Sequence, residues 1–197
     1  MKISYSIMAH PSRKDNVEKL LSVLGRDTPV SMDYESKGLL WNCVESWKLH
    51  DKNADFHCVL QDDVELTSDF KEKIEYHITK SHQEFGDLAY TFCLMNRPRF
   101  KGAVEEAKQK GLDYTLLNNL HTGNSICLPV KYINEMLKHY NTLDLPLDDA
   151  RINSWVKKKG LKVYVPLPNL VNHLNPPSLH NYNKSALSSR VSIWFKK

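Results

Sequence analysis

Over its first ~80 residues the chain alternates apolar runs of strand length with stretches of helical period, and few folds accept that order. Ile3–Ala9 is a strand-length run that stops at a Pro11-Ser12 turn. Val17, Leu20, Leu21 and Leu24 then recur at helical spacing and end at Gly25. Val30–Asp33 is a short second strand. Leu39–Leu49 is an amphipathic helix with Leu40, Cys43, Val44 and Trp47 on its inner face. Phe56–Leu60 is a third strand and Phe70–Ile78 is again helical. A β-α-β-α-β-α order predicts a parallel sheet, because parallel strands need crossovers and helices supply them.

The second half is less regular. It predicts a strand at Leu88–Met95, a charged helix at Ala103–Lys110 and a strand at Ser125–Leu128. A helix from Pro129 to Tyr140 and another at Leu147–Lys159 follow, then a strand at Lys162–Val165 and an extended piece at Leu170–His173. At 197 residues, with no internal repeat, the expectation is one α/β domain with a mostly parallel central sheet flanked by helices. The Asn-, Ser- and Pro-rich stretch from Asn175 is expected to run over the surface.

No apolar run reaches the ~20 residues of a membrane span, and the run at Met1–His10 is too short and interrupted for a signal peptide. A cytoplasmic protein is expected. Cys43, Cys58, Cys93 and Cys127 are scattered without a CxxC pair and read as small buried hydrophobes. Charge is uneven. Residues 1–100 carry 13 Lys and Arg against 16 Asp and Glu, a net of −3; residues 101–197 carry 14 against 7, a net of +7. The basic half suggests a partner with negative charge, either a phosphorylated donor or a polyanion such as DNA. Lys157-Lys158-Lys159, with Tyr164, Tyr182, Trp194 and Phe195, is the stretch that reading rests on.

Ligands of open α/β sheets bind beyond the carboxyl ends of the strands. His10, Arg13, Asp33, Lys37, Gln61, Asp62 and Asp63 follow the first three strands, so they are the candidate nucleotide and metal contacts. The chain has seven glycines and neither a GxGxxG nor a GxxxxGK[ST] motif, so any phosphate must be held by side chains and a metal. Asp62-Asp63 offers hard oxygen ligands for Mg²⁺ or Mn²⁺. Pro146-Leu147-Asp148-Asp149 reads as a helix start, with one aspartate as N-cap and the other projecting as a general base. The helix dipole is expected to lower its pKa. His173, between an apolar run and Pro176-Pro177, is a candidate metal or phosphate ligand. His121-Thr122-Gly123-Asn124-Ser125 holds small polar residues and a glycine that let backbone approach a polyhydroxylated ligand, letters that turn chemistry also uses.

Taken in order, Ile7–Arg13, Leu60–Val64, Thr122–Ser125, Leu147–Arg151 and Asn169–His173 resemble the GT-A class of nucleotide-sugar glycosyltransferases. The likeness runs over roughly residues 3–180 and is nearest to small phage and bacterial members of the family 2 type. It implies a Rossmann-like GT-A domain over 1–180, a nucleotide-binding half at about 1–100, an acceptor half at about 101–180 and a tail at 181–197. It implies Asp63 as the last acid of a DxD-type motif and metal ligand, supported by Asp62 and His173. Gln61 stands where the family has the first acid. His10, Arg13, Asp33, Lys37 and Gln61 fall to the nucleotide, and Asp149 with Asp148 to catalysis. Thr122, Gly123, Asn124, Arg151 and Trp41 fall to the donor sugar and acceptor. The implied cofactors are Mn²⁺ or Mg²⁺ and a nucleoside diphosphate sugar, a UDP-sugar first. The implied reaction is inverting transfer to a hydroxyl, with hydroxymethylated pyrimidines in DNA, saccharides and proteins as acceptor classes. A metal-dependent phosphohydrolase or nuclease, or an inactive nucleotide-binding module, is the competing expectation.

Overall fold

Period-two alternation sorts each central strand between two cores. In the first strand, β1 (Ile3–Ala9), Ile7 and Ala9 face one apolar cluster and Met8 faces the other. In β3 (Phe56–Gln61), Cys58 and Leu60 face the first cluster and Val59 the second. The computed structural model describes residues 1–174 and 191–196. Its other elements are α1 (Lys14–Leu24), β2 (Val30–Met32), α2 (Leu39–Lys48), β4 (Val64–Leu66), α3 (Phe70–Phe85), β5 (Ala89–Thr91) and α4 (Pro98–Gln109). They continue with β6 (Tyr114–Leu117), β7 (Ser125–Pro129), α5 (Ile133–Asn141), α6 (Asp148–Lys159), β8 (Val163–Pro166) and β9 (Val171–His173).

Seven strands form one sheet in the order β2-β1-β3-β7-β5-β8-β6. On one face, α1 and α3 bury Val17, Leu20, Leu24, Phe70, Ile74 and Ile78. On the other, α2, α4, α5 and α6 bury Trp47, Phe100, Met136 and Trp155 with their neighbours. Burying side chains of this size is worth roughly 1.5–3 kcal/mol each. Two helical layers with the sheet between them therefore make an α/β/α sandwich.

Five strands share a direction; β7 and β6 are reversed. The sheet is thus mixed. The reversal of β7 matters for the site. It enters the sheet at the carboxyl edge of β3, with Leu60 opposite Ser125 and the Gln61 amide donating to the Asn124 carbonyl at 2.9 Å. Residues 121–124 therefore sit over the end of β3 rather than at the far edge.

Boundaries moved where tertiary pairing overrode local pattern. The expected strand at Leu88–Met95 keeps ladder geometry only at Ala89–Thr91; beyond it the Phe92 carbonyl accepts from the amides of Leu170 and Val171. Helix α4 begins at Pro98, five residues ahead of the expected Ala103. Strands β4 and β6 were not expected; each is defined by pairing, β4 with β9 and β6 with β8. The tail is also different from expectation. Residues 191–196 return to the fold: the Asn96 amide donates to the Val191 carbonyl at 2.8 Å, the Ile193 amide to the Leu94 carbonyl at 2.8 Å, and the Asn169 amide to the Trp194 carbonyl at 2.7 Å. Ile193 and Trp194 pack on the second core. Residues 181–190 of the expected tail lie outside the described residues. All four cysteines are free and buried, as their apolar neighbourhoods implied. Among the described residues no helix is long and apolar enough to cross a membrane.

Candidate functional site

At the end of β3 the chain turns through Asp62-Asp63 into β4. Asn16 on α1 pins that turn, its amide nitrogen donating to the carbonyls of Asp62 at 2.6 Å and Val64 at 3.0 Å. Strand β4 then pairs antiparallel with β9, which sets Val64 opposite His173. That short ladder brings together two candidates more than a hundred positions apart. His173 Nε2 lies 3.4 Å from Asp63 Oδ2, and the Leu174 amide donates to the Asp63 carbonyl at 2.9 Å.

The two acids of the turn do different work. Asp62 is committed: Oδ1 accepts from the Arg13 guanidinium at 2.7 Å and Oδ2 from the His10 amide at 2.6 Å. Asp63 Oδ2 accepts from Arg13 at 3.2 Å, while Oδ1 is buried with no hydrogen-bond partner. Burial raises the pKa of Asp62, more than the His10 and Arg13 hydrogen bonds lower it. Burial also pushes Asp63 upward, but the His173 contact and the charges of His173 and Arg13 outweigh it and hold Asp63 below the usual carboxylate range. Asp63 is therefore the ionised acid with an oxygen to spare. Among the described residues no group of three or more His, Cys, Asp or Glu side chains converges as a metal cage. Asp63 and His173 are the acid and imidazole that the β4–β9 ladder puts in contact.

Asp148 and Asp149 are the first two residues of α6, and Leu147, in extended conformation, is its N-cap without a side-chain cap bond. Neither aspartate is the cap. Gln61 Nε2 donates to Asp148 Oδ2 at 3.0 Å, so Gln61 joins the end of β3 to the acidic pair. Gly123 lies against the same pair: a Cβ there would sit 3.1 Å from Asp149 Cβ and 3.2 Å from Asp148 Oδ2. The expected lowering of these pKa values is corrected. Burial, with Asp149 beside it, pushes Asp148 up to about 7. Burial raises Asp149 too, partly offset by a backbone N–H and by Arg97. Desolvation at a deep helix start outweighs the dipole that the sequence position advertises.

These groups share one cavity of ≈ 740 Å³ at the carboxyl edge of β1, β2 and β3. His10, Arg13, Asp33, Gln61, Asp62, Asp63, Gly123, Asn124, Asp148, Asp149 and His173 all line it. Asp33 is held by its own loop, accepting from the amides of Lys37 at 2.8 Å and Gly38 at 2.7 Å. Gly38, at φ +95°, permits that closure where an L side chain would be strained. Asn124 is almost fully buried and its Nδ2 has no hydrogen-bond partner.

Four expected contacts do not line the cavity. The Lys37 ammonium pairs with Glu35 and lies 4.8 Å from the Trp41 ring centroid, so the two side chains engage each other. Thr122 is buried and hydrogen-bonds Thr91 Oγ1 at 2.8 Å and the Cys93 carbonyl at 3.1 Å. Arg151 donates to the carbonyls of Leu145 at 2.7 Å and Tyr140 at 3.2 Å, bracing the loop before α6. Of the aromatic residues named beside Lys157-Lys158-Lys159, those described lie outside the cavity lining. Tyr164 is buried and stacked on Tyr114, Trp194 packs on the second core, and Tyr182 lies outside the described residues.

The cavity also has walls that sequence reasoning missed, Asn42, Arg97 and Arg99, and two residues, His121 and Asn153, to which it gave no role. Asn42 is buried, accepting from Ser31 Oγ at 2.6 Å and donating to the Ala9 carbonyl at 2.8 Å. Arg97-Pro98-Arg99 did carry a signal, since proline at the first helical position marks a helix start.

No family model matches the chain, and no curated protein matches it. Among solved structures it is similar to one titled "Crystal Structure of A197 from STIV", with a TM-score of 0.50 and 12% identity over 100% of this chain and 96% of that one. A likeness at that identity speaks for the α/β fold alone.

Proposed function

We propose that the chain is a GT-A-like glycosyltransferase that moves a sugar from a nucleoside diphosphate sugar, a UDP-sugar first, to an acceptor hydroxyl with inversion. The observation that carries the reading is the meeting, in one cavity, of the Asp63–His173 pair with the Asp148–Asp149 pair. Asp63 and His173 are a donor set that fits Mn²⁺ or Mg²⁺, ions that use one or two protein ligands and complete their shell with phosphates and water. The unpartnered Asp63 Oδ1 supports that fit. Such an ion, when bound, neutralises charge on a leaving diphosphate.

The chain's own residues do the rest. Asp33 and His10 face the nucleoside end of the cavity, and Gln61 holds Asp148 in place. Asp149, more open than Asp148, takes the proton of the acceptor hydroxyl. The acceptor oxygen bonds to the anomeric carbon as the bond from that carbon to the diphosphate oxygen breaks. The electron pair leaves with the nucleoside diphosphate. A raised carboxylate pKa suits a base that must accept a proton near neutral pH.

The test is a thermal-shift panel of UDP-, GDP- and TDP-sugars with Mn²⁺. A selective shift with one donor, lost in Asp63→Ala, is expected. No shift with any donor would overturn the donor assignment and favour a hydrolase.

A further inference from the structure

The cavity has a second cationic wall, remote in sequence from Arg13. Arg97 is the extended N-cap of α4, Arg99 lies in the first turn, and His121 comes from the loop before β7. Phe100 joins the last two: the Arg99 guanidinium carbon is 4.7 Å from its ring centroid, and its ring is 4.9 Å from that of His121. Arg13 is engaged by Asp62 and Asp63. Arg97 and Arg99, in contrast, make no ion pair among the described residues, and Arg97 Nε is buried without a hydrogen-bond partner. The electrostatic reach of Arg97 includes Asp149, the proposed base. Burial, with Arg99 and Arg97 nearby, lowers the pKa of His121, so it enters as a neutral imidazole. A buried donor left unmatched is costly, and two guanidiniums side by side are matched by an anion. The N-terminus of the 12-residue α4 adds field of the same sign.

The donor diphosphate has its own place at Asp63 and His173, so an anion at this wall belongs to the other substrate. We propose that Arg97, Arg99 and His121 form a subsite for a phosphate group of the acceptor, beside the hydroxyl that Asp149 deprotonates. That the anion is on the acceptor rests on the glycosyl-transfer reading; that an anion binds here does not. Two guanidiniums and an imidazole offer more donors than one carboxylate can accept, and they suit the oxygens of a phosphate. The phosphate is either a phosphodiester of a polynucleotide or a phosphomonoester of a small sugar.

The experiment compares the full chain with Arg97→Ala/Arg99→Ala and with the milder His121→Gln. One arm follows anisotropy of a labelled, short single-stranded oligodeoxynucleotide between about 50 and 200 mM salt. The second titrates glucose 6-phosphate calorimetrically. The third repeats the Mn²⁺ and UDP-sugar thermal shift. The double variant is expected to weaken one phosphate probe at least ~10-fold and His121→Gln to weaken it less, with the donor shift matching the parent's. If the oligonucleotide is the probe, the salt slope should also fall by about 1.4, for two lost contacts on a single strand. Which probe responds identifies the source of the phosphate. Failure of both probes to bind the parent, or equal binding to parent and double variant, overturns the subsite. Loss of the donor shift in the double variant also overturns it, because the arginines would then hold the donor. Arginine-dependent phosphate binding without any donor shift would sink the glycosyl-transfer reading and leave the anion subsite standing.

Discussion

The Gln61 side-chain amide donates to Asp148 Oδ2 at 3.0 Å across 87 positions of sequence, tying the end of β3 to the start of α6. An amide fits there because the partner is a buried acid. Gln61→Glu would set carboxylate against carboxylate, so its melting temperature should fall below the parent's, with the larger deficit at pH 8 than at pH 5. Gln61→Ala leaves Asp148 without that donor, at a cost of about 1–3 kcal/mol. Melting curves at both pH values check this. Parent-like melting of Gln61→Glu at pH 8 would show that the contact does not govern Asp148.

Asp148 has a folded-state pKa raised to about 7 from its ordinary 3.8. The folded protein therefore holds a proton that the unfolded chain has released across that window. The stabilisation is fully present below about pH 4 and is lost as pH rises through about 7. Asp148→Asn keeps a neutral side chain at every pH, so its advantage over the parent should grow between pH 5 and pH 8. Each kcal/mol regained should appear as about 2–4 °C in melting temperature. A pH-independent difference between the two proteins would remove Asp148 as the titrating group.

Gly123 is a packing requirement of the acidic pair. Adding one methyl group places carbon 3.1 Å from Asp149 Cβ, a contact with a side-chain stem that cannot swing away. Gly123→Ala should cost about 1–3 kcal/mol by overpacking and should displace Asp149. Thermal melting measures the first effect. Turnover on an identified acceptor measures the second, with a larger loss than Thr122→Ser, whose hydroxyl stays in its buried hydrogen bonds.

Asp63→Asn and His173→Ala should each weaken Mn²⁺ binding at least ~10-fold when titrated with UDP present and followed by electron paramagnetic resonance. Asp63→Ala and Asp149→Asn should each lower turnover at least ~100-fold. Of these, only the Asp63 variant should lose metal. Near-normal turnover in both would end their assignment as ligand and base.

Much of this was legible in the chain. Alternation through Ile7, Met8 and Ala9 and through Cys58, Val59 and Leu60 reported the two-faced sheet, because side-chain direction follows from the strand itself. Asp62-Asp63 after an apolar strand pointed to the sheet edge where the cavity lies. What was hidden depends on partners. Strands β4 and β9 have three residues each, and only their pairing puts His173 beside Asp63. The pKa of Asp148 follows from depth of burial, which helix position does not reveal. Arg151 and Thr122 have the right chemistry for ligand contacts but spend it on nearby carbonyls and a hydroxyl. Arg97 and Arg99 were overlooked because the helix was expected to start at Ala103 rather than Pro98.

Strand β7 is the late-made centre of the sheet. Until residues 125–129 leave the ribosome, β3 has no neighbour on that side and β5 has no link to β3. The nascent chain thus carries an apolar strand, Phe56–Leu60, with an unpaired edge for the time needed to add some sixty more residues. Such an edge is a template for pairing with other chains. Chaperone demand and aggregation during synthesis should therefore peak before β7 emerges and drop once it is inserted.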